Sequence, residues 1–197
     1  MEAEVPEGVR KLTMEWFELG PFTVFDVETT GMSPAQDRIV ELAAARVDKD
    51  GEIIYFQTLV HPGRRIPPAV QAIHHISDAM VMNAPRFTEV GYEFLDFARG
   101  STLVAHNARF DLGFLQESLA RTGLPLWDGR TLDSIRLTKT LFRGLPSYSL
   151  QNLRRCFNLD EEGDEMTAHR AGADVEWTVR LLKKLCLELI SRDSGNP

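Results

Sequence analysis

Two acidic side chains interrupt the end of a strongly apolar segment near the start of the chain. Residues 22–27 are rich in β-branched and aromatic side chains, which is typical of a buried strand, yet Asp26 and Glu28 fall at its far end. Because side chains alternate along a strand, both carboxylates point to the same face, with their Cα atoms roughly 7 Å apart. Burying two like charges requires a counter-charge, and a divalent cation with oxygen ligands supplies one. The alternative interpretation is a strand that ends in solvent with an acidic tip.

Further acidic residues stand where two helices are predicted to begin. Asp111 follows a short apolar strand predicted at 101–105 and is expected at a strand-to-helix junction. Asp174 lies five residues after His169, and residues five apart differ by ~140° around a helix. We therefore expect His169 before the closing helix and Asp174 in its first turns. Taken singly, His169 would be a capping or surface residue, and Asp174 would compensate for the helix dipole.

Three short segments carry these residues: D-V-E-T-T-G at 26–31, H-N-A-R-F-D at 106–111 and H-R-A-G-A-D at 169–174. In this order and spacing they resemble the three exonuclease motifs of the DEDD superfamily, histidine branch. That family contains the epsilon proofreading subunit of bacterial replicative DNA polymerase and ribonuclease T. The resemblance extends over residues 22–189, which is nearly the whole chain.

The resemblance implies an α/β fold of the ribonuclease H-like type, with a central mixed β-sheet flanked by α-helices, in which four carboxylates meet. These belong to Asp26, Glu28, Asp111 and Asp174. Four hard oxygen donors can hold two Mg²⁺ or Mn²⁺ ions roughly 3.5–4 Å apart, one activating water and the other stabilising the leaving 3′ oxygen. His169 is implied as the general base, a role suited to its ordinary pKa of about 6.5. The expected products are nucleoside 5′-monophosphates.

Residues around the motifs are the candidates for substrate binding: Thr29, Thr30, Gly31, Met32, His74, Asn107 and Phe110. Met32 resembles the apolar residue that such enzymes place against the terminal base, and the alternative is a half-buried loop methionine. His74 and Phe110 would either line the pocket or support it. His106 is a rival base by residue type, but the family pattern makes it a strand-end residue beside Asn107.

One residue departs from the family pattern. His75 stands where the family commonly has glycine. We therefore expect the local backbone, or the edge of the substrate site, to differ at this point.

The segments between the motifs predict the layers that would position them. Apolar runs at 38–47 and 52–60 are joined by Asp48-Lys49-Asp50-Gly51, which predicts an antiparallel hairpin. Helices are predicted at 67–73, 87–98, 111–122, 131–142, 149–157 and 170–190. Such an order predicts an α/β layer on a mixed sheet. The expected divisions are an N-terminal extension at 1–21, of which Leu12, Trp16 and Phe17 would cover one edge of the core, an exonuclease domain at 22–191 and a C-terminal tail at 192–197.

Composition and charge fit one globular domain of 197 residues, with 43% hydrophobic and 26% charged residues. The formal net charge of −7 hides an asymmetry, because residues 121–155 contain seven basic side chains against two acidic ones. Five acidic residues then occur between 160 and 165. The basic stretch is either a phosphate-facing side or a set of solvated helix faces. The acidic stretch is expected to be a loop that is mobile without substrate.

The cysteines and the lengths of the apolar segments indicate where in the cell the protein is expected. Cys156 and Cys186 lie in helical stretches and are expected to be reduced core residues. The start of the chain is acidic, and no window reaches ~18 uninterrupted apolar residues. We therefore expect a cytoplasmic protein without a membrane partner.

The expected activity is metal-dependent 3′→5′ exonucleolytic cleavage of single-stranded DNA or RNA ends, with a nucleoside monophosphate as product and a DNA polymerase or repair protein as candidate partner. One alternative is a catalytically silent nucleic-acid-binding or polymerase-docking module of the same fold. A metal-stabilised structural domain is a third, but structural metal sites are closed and rich in sulfur. Retention of all five motif residues favours the enzyme.

Overall fold

A five-stranded mixed sheet forms the centre of the protein, whose computed structural model describes residues 14–160 and 170–194. The strands are β1 (Phe22–Thr29), β2 (Ile39–Val47), β3 (Ile53–Leu59), β4 (Thr102–Ala105) and β5 (Thr131–Asp133). Their order across the sheet is β3-β2-β1-β4-β5. β2 pairs antiparallel with β1 and β3, whereas β4 pairs parallel with β1 and β5. The predicted hairpin and mixed sheet are confirmed.

Helices cover both faces of this sheet. They are α1 (Pro68–His74), α2 (Asp78–Val81), α3 (Phe87–Phe97), α4 (Ala108–Thr122), α5 (Ser134–Leu141), α6 (Leu150–Phe157) and α7 (Ala171–Ser194), preceded by a 3-10 helix at Trp16–Leu19. On one face, α3 and α4 pack against β1 through Phe94, Phe114 and Phe25. On the other face, Val175 and Leu182 of α7 pack against the sheet, and α5 and α6 pack on α7.

The alternation of side chains along β1 decides which residues meet which layer. Phe25 and Val27 pack in the cluster formed with α3 and α4, whereas Phe22 and Val24 pack in the cluster formed with α7. Even-numbered side chains of β1 therefore point toward α7. The acidic residues at 26 and 28 share this parity, so they lie on the α7 side of the sheet.

Two predicted helices begin elsewhere than expected. The prediction of helix from 131 was wrong for its first three residues, which form β5 and pair with β4. A three-residue strand is too short to show alternation, and Asp133 at its end caps α5 by accepting the backbone N–H of Ile135 at 2.8 Å. α4 begins at Ala108, so Asp111 lies in its first turn and not at its beginning.

The predictions for the periphery have mixed outcomes. Trp16 is buried in the cluster that contains α7, as expected. Cys186 is buried, but the prediction that Cys156 is a core residue was wrong, because it is exposed. Leu12 and the acidic stretch from 161 lie outside the described residues. Within the described ranges, no helix has the length and apolar character needed to cross a membrane.

Candidate active site

Carboxylates from two distant parts of the chain converge at the end of β1. Asp26 and Glu28 extend from β1, and Asp174 extends from the first turn of α7. Each offers an oxygen atom, and these oxygens all lie within 4.8 Å of one another. Carboxylate oxygens at this spacing match the hard-donor sites that bind divalent cations. The inference that both strand acids share one face is confirmed.

Asp111 lies beside this cluster and is more deeply buried than Asp26, Glu28 or Asp174. Asp111 is 2% exposed, and its Oδ1 accepts a hydrogen bond of 3.2 Å from the backbone N–H of Val27. The charge of Asp111 raises the pKa of Asp26, so the two carboxyl groups are electrostatic neighbours. The structure thus brings three of the four predicted acids within 4.8 Å and places Asp111 beside them, and the shared site of all four stays a prediction.

Burial and mutual repulsion are visible in the pKa values of these groups. Burial, followed by the charges of Asp111 and Asp174, raises the pKa of Asp26 well above its usual range. Burial and the charge of Asp174 raise the pKa of Glu28 to about 8. Burial raises the pKa of Asp111 to about 7, although the hydrogen bond from Val27 acts in the opposite direction. A divalent cation would compete with these protons, which is the behaviour of a metal site.

Glu41 fixes the start of α7, and the sequence analysis did not identify it. It lies on β2 directly opposite Glu28, and only 1% of it is exposed. Its carboxylate accepts hydrogen bonds from Arg170 Nη2 at 2.8 Å, from Gln57 Nε2 at 2.9 Å and from the backbone N–H of Ala171 at 3.2 Å. These contacts tie the first residues of α7, and with them Asp174, to the sheet.

The partners of Glu41 also explain its charge state and a neighbouring glycine. Burial alone would raise the pKa of Glu41, but the hydrogen bonds from Arg170 and Gln57 outweigh burial and lower it, so Glu41 stays ionised. A Cβ atom at Gly172 would lie 2.8 Å from Oε1 of Gln57, so a larger residue there would displace the side chain that donates to Glu41. The available sequence signal was a single acid inside the otherwise apolar strand I-V-E-L-A-A-A.

The turn after β1 is built by the predicted substrate-binding threonines. Thr29 Oγ1 donates to the carbonyl of Gly31 at 2.6 Å, and Thr30 Oγ1 donates to the carboxylate of Asp37 at 3.2 Å. A Cβ atom at Gly31 would overlap the carboxylate of Asp37, which explains the glycine. The hydroxyl groups of Thr29 and Thr30 thus hold the turn, and the substrate-binding role of both residues stays a prediction. Met32, just beyond this turn, is 80% exposed, so the half-buried alternative was wrong.

Of the remaining residues predicted to bind substrate, two make contacts within the protein and one is exposed. His74 is buried, and its Nδ1 accepts the backbone N–H of Ile76 at 3.0 Å. The half-buried ring of Phe110 packs against Phe114, with 4.9 Å between centroids. These contacts are made within the protein, and the role of His74 and Phe110 in lining the pocket stays a prediction. Asn107 is exposed in a left-handed conformation with φ 70°, at the start of α4.

The structure separates the histidines by role. His106 has both ring nitrogens engaged, Nδ1 with Ser134 Oγ at 2.8 Å and Nε2 with the carbonyl of Tyr148 at 3.0 Å, as befits a strand-end residue and not a base. His75 ends α1 with φ 61°, a left-handed conformation that favours glycine, so a histidine stands where glycine would be less strained. His169 lies outside the described residues.

Comparison with known proteins agrees with this arrangement. A family model described as "Exonuclease" matches residues 23–182, which include both acids of β1, Asp111 and Asp174. The chain belongs to the exonuclease family. The DNA polymerase III subunit epsilon of Treponema pallidum (strain Nichols) is 40% identical to this exonuclease over 172 residues, covering 86% of this chain and 74% of the relative.

Two further matches define the fold and the extent of the similarity. The solved structure of exonuclease X in complex with 5′ overhanging duplex DNA is 31% identical, with a TM-score of 0.64 over 89% of this chain and 94% of that one. The predicted ribonuclease H-like fold is thereby confirmed. The PolC-type DNA polymerase III of Caldanaerobacter subterraneus is 34% identical over 84% of this chain, but the matched part is only 12% of that relative.

Proposed function

We propose that this exonuclease removes nucleoside 5′-monophosphates, one at a time, from single-stranded 3′ ends of DNA or RNA. The observation that carries the proposal is the convergence of three carboxylate oxygens within 4.8 Å, beside a fourth, buried carboxylate. The raised pKa values of Asp26, Glu28 and Asp111 support a cation there, because such a charge would relieve their mutual repulsion. A silent module would have no use for this costly arrangement.

The donor set favours Mg²⁺ or Mn²⁺, two per site, because every ligand in the cluster is a carboxylate oxygen. Asp26, Glu28, Asp111 and Asp174 would hold the ions. Bound metal supplies Lewis acidity, which activates the attacking water and stabilises charge on the leaving 3′ oxygen.

The protein's own side chains supply the remaining functions. His169 would accept the proton of the attacking water as general base; it adjoins Arg170, which Glu41 holds at the start of α7. Met32 extends into solvent beyond the rigid turn after β1, where it would contact the terminal base. The turn formed by Thr29, Thr30 and Gly31 would contact the substrate on one side. Asn107 and Phe110 would contact the substrate on the other side.

DNA is the favoured substrate, although RNA is retained as a second. Exonuclease X is described in complex with DNA, and the matched polymerase relatives are DNA polymerase III proteins. These names also support a DNA polymerase, or a repair protein acting on the same ends, as partner in the cytoplasm.

Digestion of 5′-labelled single-stranded DNA and RNA oligonucleotides tests this function, with Mg²⁺, Mn²⁺ or chelator. We expect a metal-dependent ladder that shortens from the 3′ end, absent in Asp26→Ala and unchanged in Asp193→Ala, which removes an exposed carboxylate at the end of α7. Binding of the oligonucleotides without cleavage by either metal would instead establish a silent module.

A further inference from the structure

A cavity of about 490 Å³ opens where β4 and β5 lead into α4 and α5. Its walls include Asn107, Arg109, Leu112, Asp133, Arg136 and Lys139. β1, β4 and β5 are parallel, so their carboxyl ends lie at one edge of the sheet, where ligands of α/β proteins bind. Arg109 and Leu112 flank Asp111 in the sequence of α4, so the cavity is lined by the same helix that carries one of the four carboxylates, although none of the four lines it. We call it the basic cavity.

Three cations on its wall have no ion pair with any residue that the structure describes. Arg109, Arg136 and Lys139 are all exposed. Lys139 lies 5.3 Å from the centroid of the Tyr148 ring, a contact that leaves its charge uncompensated. Asp133 is also on the wall, and its Oδ1 accepts the backbone N–H groups of Ile135 and Arg136 at the start of α5.

Several arginines elsewhere in the described chain are paired, although exposed arginines such as Arg130 and Arg143 have no ion pair with a described residue either, so the grouping of the three cations around one cavity is the distinguishing feature. Arg46, Arg170 and Arg180 each pair with a carboxylate within 3.2 Å. In a chain whose formal charge is −7, acidic partners are plentiful. Three cations that pair with no described carboxylate, gathered around one cavity, are therefore suited to an external anion.

We propose that the basic cavity binds backbone phosphates of the substrate strand on the 5′ side of the terminal nucleotide. This inference rests on the proposed exonuclease function. Four carboxylates repel a polyanion, and bound metal would compensate for this only at the scissile phosphate. The neighbouring phosphates need other cations, and guanidinium groups bind phosphate through paired N–H donors. The exposed amide of Asn107 adds a neutral donor.

The size and lining of the basic cavity favour a nucleotide strand over a lone anion. Its volume lies within the range of pockets that enclose organic ligands. Leu112 and Ile135 add apolar surface between the cations, against which a sugar or base can pack. An acidic peptide would satisfy the charges but would have no reason to bind to the helix that carries Asp111.

A double substitution, Arg136→Ala with Lys139→Ala, tests the proposal. Fluorescence anisotropy with a labelled twelve-residue oligothymidylate, in chelator so that no cleavage occurs, gives affinity over a series of salt concentrations. We expect affinity to fall on the order of tenfold, and the slope of log affinity against log salt to drop by about 0.7 for each lost phosphate contact. Lys139→Arg should retain binding.

The matched control is Arg143→Ala with Lys183→Ala, which removes the same charges from exposed positions outside the cavity. Its affinity and salt slope should stay closer to those of the wild type. If both double variants lose affinity and slope equally, general charge accounts for binding and the proposal is overturned. It is overturned as well if the cavity variant binds DNA normally but loses binding to a polyglutamate peptide.

A second substrate separates this proposal from the proposed function. The p-nitrophenyl ester of thymidine 5′-monophosphate has one phosphodiester and no upstream phosphates. The cavity variant should hydrolyse this ester with metal at the wild-type rate, while its KM for the oligonucleotide rises. A loss of ester hydrolysis equal to the loss on oligonucleotide would overturn the cavity's role. Failure of the wild type on both substrates would contradict the exonuclease function itself, while the anisotropy measurement would still test the cavity.

Discussion

Asp26 lies at the electrostatic centre of the acidic cluster. Burial is the largest cause of its raised pKa, and the charges of Asp111, Asp174 and Glu28 all act in the same direction. Burying these acids side by side is unfavourable in the metal-free protein, so their carboxyl groups keep protons at neutral pH. A bound metal ion would remove this unfavourable interaction and displace the protons.

The first prediction concerns stability of the metal-free protein against pH. The folded pKa values of Asp111 and Glu28 are about 7 and about 8, above their ordinary values. The folded state therefore binds more protons than the unfolded state, and this contribution, complete at low pH, is lost as the pH rises through 7 and 8. With chelator, the unfolding midpoint should fall from pH 7 to pH 9, and added Mg²⁺ should stabilise most at pH 9.

The range from pH 7 to pH 9 avoids the titration of the buried histidines. Burial lowers the pKa of His74 and of His106, and these groups produce the opposite trend below about pH 6.5. Asp26→Asn, which removes one charge from the cluster, should flatten the dependence. A midpoint that rises between pH 7 and pH 9 would show that the carboxyl groups are not protonated as described.

The second prediction concerns His169. His169→Ala should lower the rate on the order of 10²–10⁴-fold, the usual contribution of a general base, with metal affinity largely unchanged. Oligonucleotide digestion and calorimetric titration with Mn²⁺ measure the two quantities. Lost metal affinity would make His169 a ligand instead of a base.

The third prediction concerns Met32. Because this side chain is 80% exposed, Met32→Ala should change the free energy of unfolding by no more than about 0.5 kcal/mol. Its contact with the terminal base should be lost, so KM for oligonucleotides should rise. Met82→Ala, at a methionine that is 63% exposed on another surface, is the matched control. An unchanged KM in Met32→Ala would remove it from the substrate site.

At the scale of elements, the position of α7 depends on its attachment to β2. The carboxylate of Glu41 binds the guanidinium of Arg170 and the backbone of Ala171, three residues before Asp174. A shift at the start of α7 would move Asp174 relative to the acids of β1. The geometry of the cluster is thus set by a residue that does not belong to it.

The fourth prediction follows from this attachment. Glu41→Gln should lower the free energy of unfolding by about 1–3 kcal/mol, because charged hydrogen bonds to Arg170 are lost at a buried position. Affinity for Mn²⁺ should fall as well, since Asp174 is less firmly held. Urea unfolding and calorimetry measure the two effects, with Glu52→Gln at an exposed position of the hairpin as control. Unchanged metal affinity would show that Glu41 has only a structural role.

The elements differ in how far their sequences reveal them. The sequence of the closing helix predicts an apolar stripe at Ala171, Val175, Thr178, Leu182, Leu185 and Leu189, and all of these are buried except Leu189. β5 has three residues and no alternation, so only its pairing with β4 defines it. Glu41 looks like an isolated acid because its partners at Gln57 and Arg170 are 16 and 129 residues away. Local periodicity contains no information about such contacts.

At the scale of the whole molecule, the site lies where both helical layers meet the end of the central strand. Asp111 comes from the layer of α3 and α4, and Asp174 from the layer of α7. The four acids were predicted because the motifs resemble a known family. The fold explains their convergence, because parallel β1 and β4 end at the same edge. Arg136 and Lys139 of the basic cavity belong to the basic stretch at 121–155, but the sequence does not show that Arg109 of α4 lines the same cavity as these residues of α5.

The most direct test of the central claim is a comparison of four single variants, Asp26→Asn, Glu28→Gln, Asp111→Asn and Asp174→Asn, for metal-dependent release of nucleoside 5′-monophosphate. If the four carboxylates form one catalytic metal site, each variant should retain less than about 1% of the wild-type turnover while remaining folded. A folded variant that cleaves at a rate near that of the wild type would show that its carboxylate is not part of the site, and would contradict a single catalytic centre built from all four.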